Sequence, residues 1–301
     1  MTAEIRQRLA AIGTRFDIEV AKETRALYRP LLTDDGEGIS VRPDIAYGPG
    51  ERQKLDLYAT DENPARRRIL LFVPGGGFVA GSKDGRDGFY ANLGRHFARR
   101  GFVVAVMDYR LAPAHRWPAG HKDVGLAVRW LQENADELGA NAQDVSVFGQ
   151  SAGAAHTLAW FCDPQEQEPK GISSVVLASG VYRLHADNLA ANIVAYFGDD
   201  PETFVERSPL SHVRRSDTPF LLLVSEFDPA PLAVPTFELA AKLWEVNGTA
   251  PRFALLEGHN HVSPVLSIGT EDSGCASVIE TFLHYSAKGG SPQITGHVGE
   301  G

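Results

Sequence analysis

The chain has 301 residues, 43% of them hydrophobic and 22% charged, an ordinary globular composition long enough for one large domain or two small ones. Its formal net charge of −9 argues against nucleic acid or an anionic membrane as the main partner. No apolar run approaches the roughly 18–20 residues of a membrane span.

In chain order, residues 5–32 read as helix, with Ile5, Leu9, Ile12, Phe16 and Val20 near helical spacing. "VRPDIAYGPGERQKLDLYAT" predicts two strands joined at the Gly-Pro-Gly of 48–50. From residue 67 short continuous apolar runs, as expected of strands buried on both faces, alternate with helical segments. The runs are "RILLFVP", "GFVVAVMDY", "DVSVFGQ", "SSVVLASGVY", "PFLLLVSEF" and "RFALLEG". Helices are predicted over Asp87–Arg100, "HKDVGLAVRWLQENADEL", "AGAAHTLAWFC", "FELAAKLWEVNG" with Gly248 as its C-cap, and 272–286. This alternation predicts βαβ units, a mostly parallel sheet and helices on both faces. Two stretches break it: the N-terminal helical region, 1–40, and an insertion at 182–215 with two short helices. Insertions after strand C-termini lie over the ligand crevice of open α/β sheets, so both are expected to form a small cap on a domain spanning 41–288. The Gly-rich tail, 289–301, is expected to be poorly ordered.

"GQSAG" places Ser151 at the centre of G-x-S-x-G, between an apolar strand and a helix of small residues. That context predicts a sharp strand-to-helix turn that exposes the hydroxyl at a helix N-terminus, where the helix dipole favours developing negative charge. "FVPGGGF" ends an earlier strand in three glycines whose amides can turn inward. The amides of Gly76 and Gly77, with that of Ala152, are the expected oxyanion donors. The glycines match neither a phosphate-binding G-x-x-x-x-G-K-[ST] loop nor G-x-G-x-x-G.

A serine nucleophile needs a base, and the base an orienting acid. In chain order the acid follows a late strand and the histidine the next one. "SEFDP" offers Glu226 and Asp228, of which Asp228, just past the apolar run, is favoured as the acid and Glu226 as its neighbour in a supporting role. "EGHNHVS" offers His259 and His261. As a His-x-His metal site the pair lacks further ligands at matching spacing, so no metal and no cofactor are expected.

"PGGGF", "DYRLAPAHRWPAGHKDVGLAVRWL", "GQSAG", "FDP" and "GHNH" together resemble the hormone-sensitive-lipase-like branch of α/β-hydrolase carboxylesterases, over roughly residues 40–286. "YGPGERQKLDLY" also resembles bacterial kynurenine formamidase-like esterases. The resemblance implies an α/β-hydrolase fold, a helical cap, no cofactor, and a triad of Ser151, Asp228 and His261 with an oxyanion hole of Gly76, Gly77 and Ala152. The choice of His261 over His259 rests on this resemblance, since His261 precedes the bulky apolar Val262. Two positions depart from the pattern: Pro74 stands where a histidine is usual, and Gln150 where an acid is usual. Phe78, Trp117, Tyr182, Tyr196 and Phe197 are the expected substrate-binding residues of an apolar pocket. The expected activity is ester hydrolysis, with amide or formamide hydrolysis by the same triad as the alternative. A small-molecule ester is the expected partner, and a homodimer is left open. Cys162 and Cys275 form no C-x-x-C pair, and free thiols in a reducing cytoplasm are expected. The N-terminal "MTAEIRQRLA" lacks the apolar stretch of a signal peptide.

Overall fold

The computed structural model describes residues 1–34, 36–61, 66–84, 88–165, 168–186 and 189–286; the tail at 289–301 lies outside the described residues. The strands are β1 (Ile39–Ala46), β2 (Lys54–Thr60), β3 (Arg67–Val73), β4 (Phe102–Met107), β5 (Ala140–Gln150), β6 (Ile172–Ala178), β7 (Phe220–Phe227) and β8 (Arg252–Asn260). The helices are α1 (Ala3–Ile12), α2 (Ile18–Tyr28), α3 (Phe89–Ala98), α4 (Ala119–Glu133), α5 (Ala152–Phe161), α6 (Ala191–Phe197), α7 (Phe204–Arg207), α8 (Ala230–Asn247), α9 (Ser263–Ser267) and α10 (Gly274–Ser286).

All eight strands join one sheet in the order β1-β2-β4-β3-β5-β6-β7-β8. Strand β2 runs antiparallel to β1 and β4, and the remaining pairs are parallel. Both faces are covered, which is why the inner strands read as unbroken apolar runs. Successive side chains of a strand point to opposite faces. On β3, Ile69, Leu71 and Val73 enter the core beneath α4, α5 and α8, while Leu70 and Phe72 enter the core beneath α3 and α10. Burying one such side chain contributes about 1.5–3 kcal/mol, so β3 is anchored from both sides before its chain turns into the three glycines.

The N-terminal region departs from the expected single helix. Gly13 ends α1, and Asp17 starts α2 by accepting a hydrogen bond from the Val20 amide at 2.8 Å. The apolar spacing runs on through this break, which hides it from a periodicity argument. Phe16, expected on the buried face, lies in the connector and is 45% exposed. The pair packs through Ile5, Leu9, Ile12, Val20 and Tyr28 against Leu266 and Val262 of the β8–α9 region.

The insertion at 182–215 carries two short helices, α6 and α7, together with 3-10 turns at 201–203 and 209–212. Gly248 caps α8 by donating to the Trp244 carbonyl at 2.9 Å. Both cysteines are buried free thiols. Among the described residues, no helix is long and apolar enough to cross a membrane.

Candidate active site

Parallel strands deliver their C-terminal ends to one edge of the sheet. That edge gathers the loop after β3, the turn after β5, the loop after β7 and the end of β8. Ser151 sits in the β5–α5 turn with φ 55 and ψ −121, a backbone region that costs a non-glycine residue on the order of 1–3 kcal/mol. The surroundings hold it there. Its amide donates to the Ala178 carbonyl at 2.8 Å, and its own carbonyl accepts from the Ala154 and Ala155 amides at 3.0 and 3.1 Å. Gly153 is required by close approach, since a Cβ there would lie 2.0 Å from the Val73 carbonyl oxygen.

The imidazole of His261 links two partners. Its Nε2 lies 2.9 Å from the Ser151 Oγ, and its Nδ1 lies 2.7 Å from the Asp228 Oδ1. The second carboxylate oxygen of Asp228 accepts from the Ser225 amide at 2.7 Å and the Ser179 hydroxyl at 2.5 Å. Asp228 and His261 are 5% and 4% exposed, so the buried carboxylate has its lone pairs satisfied. The geometry fits a neutral imidazole that donates from Nδ1 to the carboxylate and accepts from the serine hydroxyl at Nε2.

His259 does not reach Ser151. Its Nδ1 hydrogen-bonds the Ser263 hydroxyl at 2.9 Å, and burial pushes its pKa down to about 4. Glu226 accepts from the Gly258 amide at 2.6 Å and so shapes the loop that carries both histidines. Among the described residues, no three His, Cys, Asp or Glu side chains cluster as a metal ion would need.

The glycine loop meets the serine from the other side. Gly76 takes φ 149, and a Cβ there would lie 2.0 Å from the Ala80 carbonyl oxygen, so only glycine fits. Its carbonyl accepts from the Ala80 amide at 2.9 Å. That bond fixes the peptide plane, and the Gly77 N–H on the same plane points the opposite way. Two contacts serve where the resemblance left gaps. The Tyr109 hydroxyl donates to the Pro74 carbonyl at 2.9 Å, anchoring the loop without a histidine. The Gln150 amide donates to the His261 carbonyl at 3.2 Å, tying the serine turn to the histidine loop.

The expected substrate-binding aromatics are placed differently from the expectation. Phe78, Tyr182, Tyr196 and Phe197 are 1%, 0%, 1% and 3% exposed. They are packing residues rather than an open lining, because the rings satisfy one another. Phe78 stacks on Tyr196 with centroids 5.0 Å apart and meets Phe197 edge-on at 5.0 Å. Trp117, half-buried, packs on the same cluster, which also holds Ala152, whereas Tyr182 belongs to the core under α5 and α8. Behind the cluster, burial holds the His156 imidazole down at about 3, so that ring is uncharged at neutral pH.

Sequence reasoning missed four contacts. Ser179 and Ser225 hold Asp228, and their positions at the ends of β6 and β7 were the available signal. Asn192 of α6 donates to the Gly77 carbonyl at 3.1 Å. Phe16 stands edge-on to the His261 ring with centroids 4.5 Å apart. Nothing in their local sequence marks Asn192 or Phe16, because each reaches the site across a long chain separation.

The likeness to solved structures covers the fold from end to end. A hyperthermophilic esterase from the archaeon Pyrobaculum calidifontis superposes with a TM-score of 0.71, at 21% identity, covering 96% of this chain and 98% of that one. The chain has the α/β-hydrolase fold. Residues 55–168 of this α/β-hydrolase match the BD-FAE family. Among curated proteins, it is 31% identical to Esterase LipC of Mycobacterium tuberculosis over 81% of its own length and 64% of LipC, and so spans less than two thirds of that relative. It is 29% identical to an ethyl acetate hydrolase of Pseudomonas putida, covering 85% of this chain and 81% of the relative. The chain is thus similar in sequence to LipC and to the ethyl acetate hydrolase, and in fold to the Pyrobaculum esterase.

Proposed function

We propose that this α/β-hydrolase cleaves carboxylic esters of small, largely apolar substrates through an acyl-enzyme intermediate on Ser151. The observation that carries the reading is the hydrogen-bonded chain Ser151 Oγ–His261 Nε2 at 2.9 Å and His261 Nδ1–Asp228 Oδ1 at 2.7 Å. His261 takes the hydroxyl proton as Ser151 Oγ attacks the ester carbonyl. The amides of Gly76, Gly77 and Ala152 hold the oxyanion of the tetrahedral intermediate. His261 then gives the proton to the leaving alcohol. Water, deprotonated by the same imidazole, attacks the acyl-enzyme and releases the acid. Asp228 holds the tautomer and stabilises the imidazolium.

Within this reading, residues 41–288 form the hydrolase domain, and the N-terminal pair and the 182–215 insertion form a cap over it. The Asn192 contact to Gly77 and the Phe16 contact to His261 support that division. The closed packing of Phe78, Tyr196 and Phe197 beside Ala152 supports a small acyl group.

The test is labelling by a fluorophosphonate probe with a matched panel of acetate esters, anilides and N-formylkynurenine. Wild-type protein is expected to take the label and hydrolyse the esters fastest, while Ser151→Ala loses both. Normal ester turnover by Ser151→Ala would overturn the mechanism. Faster turnover of N-formylkynurenine than of any ester would replace the ester reading with a formamidase one.

A further inference from the structure

The connector between α1 and α2 brings Phe16 to the proposed base. The Phe16 ring meets the His261 imidazole edge-on, at 4.5 Å between centroids and 66° between planes. His261 is 4% exposed while Phe16 is 45% exposed. One part of the ring therefore covers the imidazole, and the rest faces outward. Its neighbour Ile18 is 74% exposed, so two large apolar side chains stand open in this one short stretch. An exposed apolar face beside a polar site is a surface on which the apolar part of a ligand can be buried.

The ring is held in register with the histidine. Asp17 fixes the start of α2 at Val20, and the Thr24 hydroxyl accepts from the Asn260 side chain at 2.8 Å. The Tyr28 hydroxyl donates to Asp272 at 2.7 Å. Val262, the residue after the histidine, packs against the cluster of Ile5, Leu9 and Val20. The N-terminal pair is thus built on the same loop that carries His261.

The chemistry assigns a role to this surface. The leaving oxygen takes its proton from His261 Nε2, so it sits within about 2.6–3.2 Å of that atom. The leaving alcohol therefore lies beside the imidazole, and the aromatic ring packed on that imidazole is Phe16. Phe78, Tyr196 and Phe197, which pack with Ala152, are instead closed against one another. Phe16 thus offers exposed apolar surface at the imidazole that protonates the leaving alcohol.

Resting on the ester-hydrolase reading above, we propose that Phe16 is a specificity-determining residue: its outward face is the wall of the leaving-group subsite and selects esters of aryl alcohols over those of short alkyl alcohols. Aromatic side chains favour offset or edge-on contact with a second ring, which a phenyl or naphthyl leaving group supplies and an ethyl group does not.

The experiment compares kcat/KM for ethyl, phenyl and 2-naphthyl acetate, which share one acyl group, in wild type, Phe16→Ala and Phe16→Leu. Phe16 is half exposed, and circular dichroism with thermal melting confirms that each variant is folded. Phe16→Ala is expected to lower the phenyl-to-ethyl and naphthyl-to-ethyl ratios of kcat/KM about threefold to tenfold. Phe16→Leu, which keeps apolar bulk without a ring, is expected to fall between. The ratio of p-nitrophenyl acetate to p-nitrophenyl butyrate, which varies only the acyl group, should stay unchanged. An equal loss on all three acetates would make Phe16 a positioning residue for His261 and overturn the inference, as would no change. A wild type inactive on every ester overturns the ester reading and this inference together, whereas an active wild type with an unmoved aryl-to-ethyl ratio overturns the inference alone.

Discussion

Two regions converge on Ser151, and they are held by different forces. The histidine side is a network of side-chain hydrogen bonds: His261 to Asp228, Asp228 to Ser179 and Ser225, His259 to Ser263, and Asn260 to Thr24. The glycine-loop side is backbone conformation backed by aromatic packing, with Gly76 at φ 149, Gly77 at φ 59, and the Phe78–Tyr196 stack behind them. A network of that kind is sensitive to the identity of one atom. A packed loop is sensitive to volume and to the peptide planes it fixes.

The contrast can be broken first on the histidine side. His261→Ala is expected to lower kcat on p-nitrophenyl acetate by about 10⁴–10⁶, whereas His259→Ala retains most of it; the reverse result would mean the base is His259. Asp228→Asn, nearly isosteric but with the wrong hydrogen-bond donor, should cost about 10⁴ in kcat with the fold intact. On the glycine-loop side, Gly76→Ala forces a Cβ to within 2.0 Å of the Ala80 oxygen unless the loop shifts. The expected loss is about 10²–10³ in kcat, with fluorophosphonate labelling slowed rather than abolished.

Asn192→Ala removes one hydrogen bond to the Gly77 carbonyl and should cost about fivefold in kcat with KM little changed. A larger effect on KM than on kcat would place Asn192 in substrate binding instead. The smallest effect is on stability. His259 is neutral when folded because burial lowers its pKa to about 4 from an ordinary 6.5. Its contribution is therefore complete above pH 6.5 and lost as the pH falls toward 4, where the unfolded chain binds the extra proton. Urea midpoints should drop over that window by the equivalent of on the order of 1–3 kcal/mol, and His259→Asn should flatten the drop. A variant with the same pH profile as wild type would remove His259 as the source.

Much of the architecture was legible before any coordinates. Among the described residues, the six unbroken apolar runs correspond to β3–β8, the pair around Gly-Pro-Gly to β1 and β2, and the amphipathic stretches to helices on both faces. The order Ser151, Asp228, His261 picked out three residues that the fold brings into hydrogen-bond contact across 110 and 33 positions of chain. The N-terminal break at Gly13–Asp17 was not legible, because apolar spacing persists across it and only the capping geometry divides the helices. The aromatic residues near the site were chosen by type and by loop position. Type does not say whether a ring faces open space or another ring, and Phe78, Tyr196 and Phe197 face one another.

The sequence by itself determined the sheet, the serine turn and the chain order of Ser151, Asp228 and His261. Each of these depends on local pattern: strand periodicity, glycines where a Cβ would collide, and polar residues at the ends of apolar runs. Only the tertiary structure decided which histidine turns to Ser151, which carbonyl Asn192 holds, and that Phe16 stands over the imidazole. Those choices depend on directions in space between elements far apart in the chain. Side-chain direction at such a junction is set by how α1, α2, α6 and β8 pack, which no local spacing encodes.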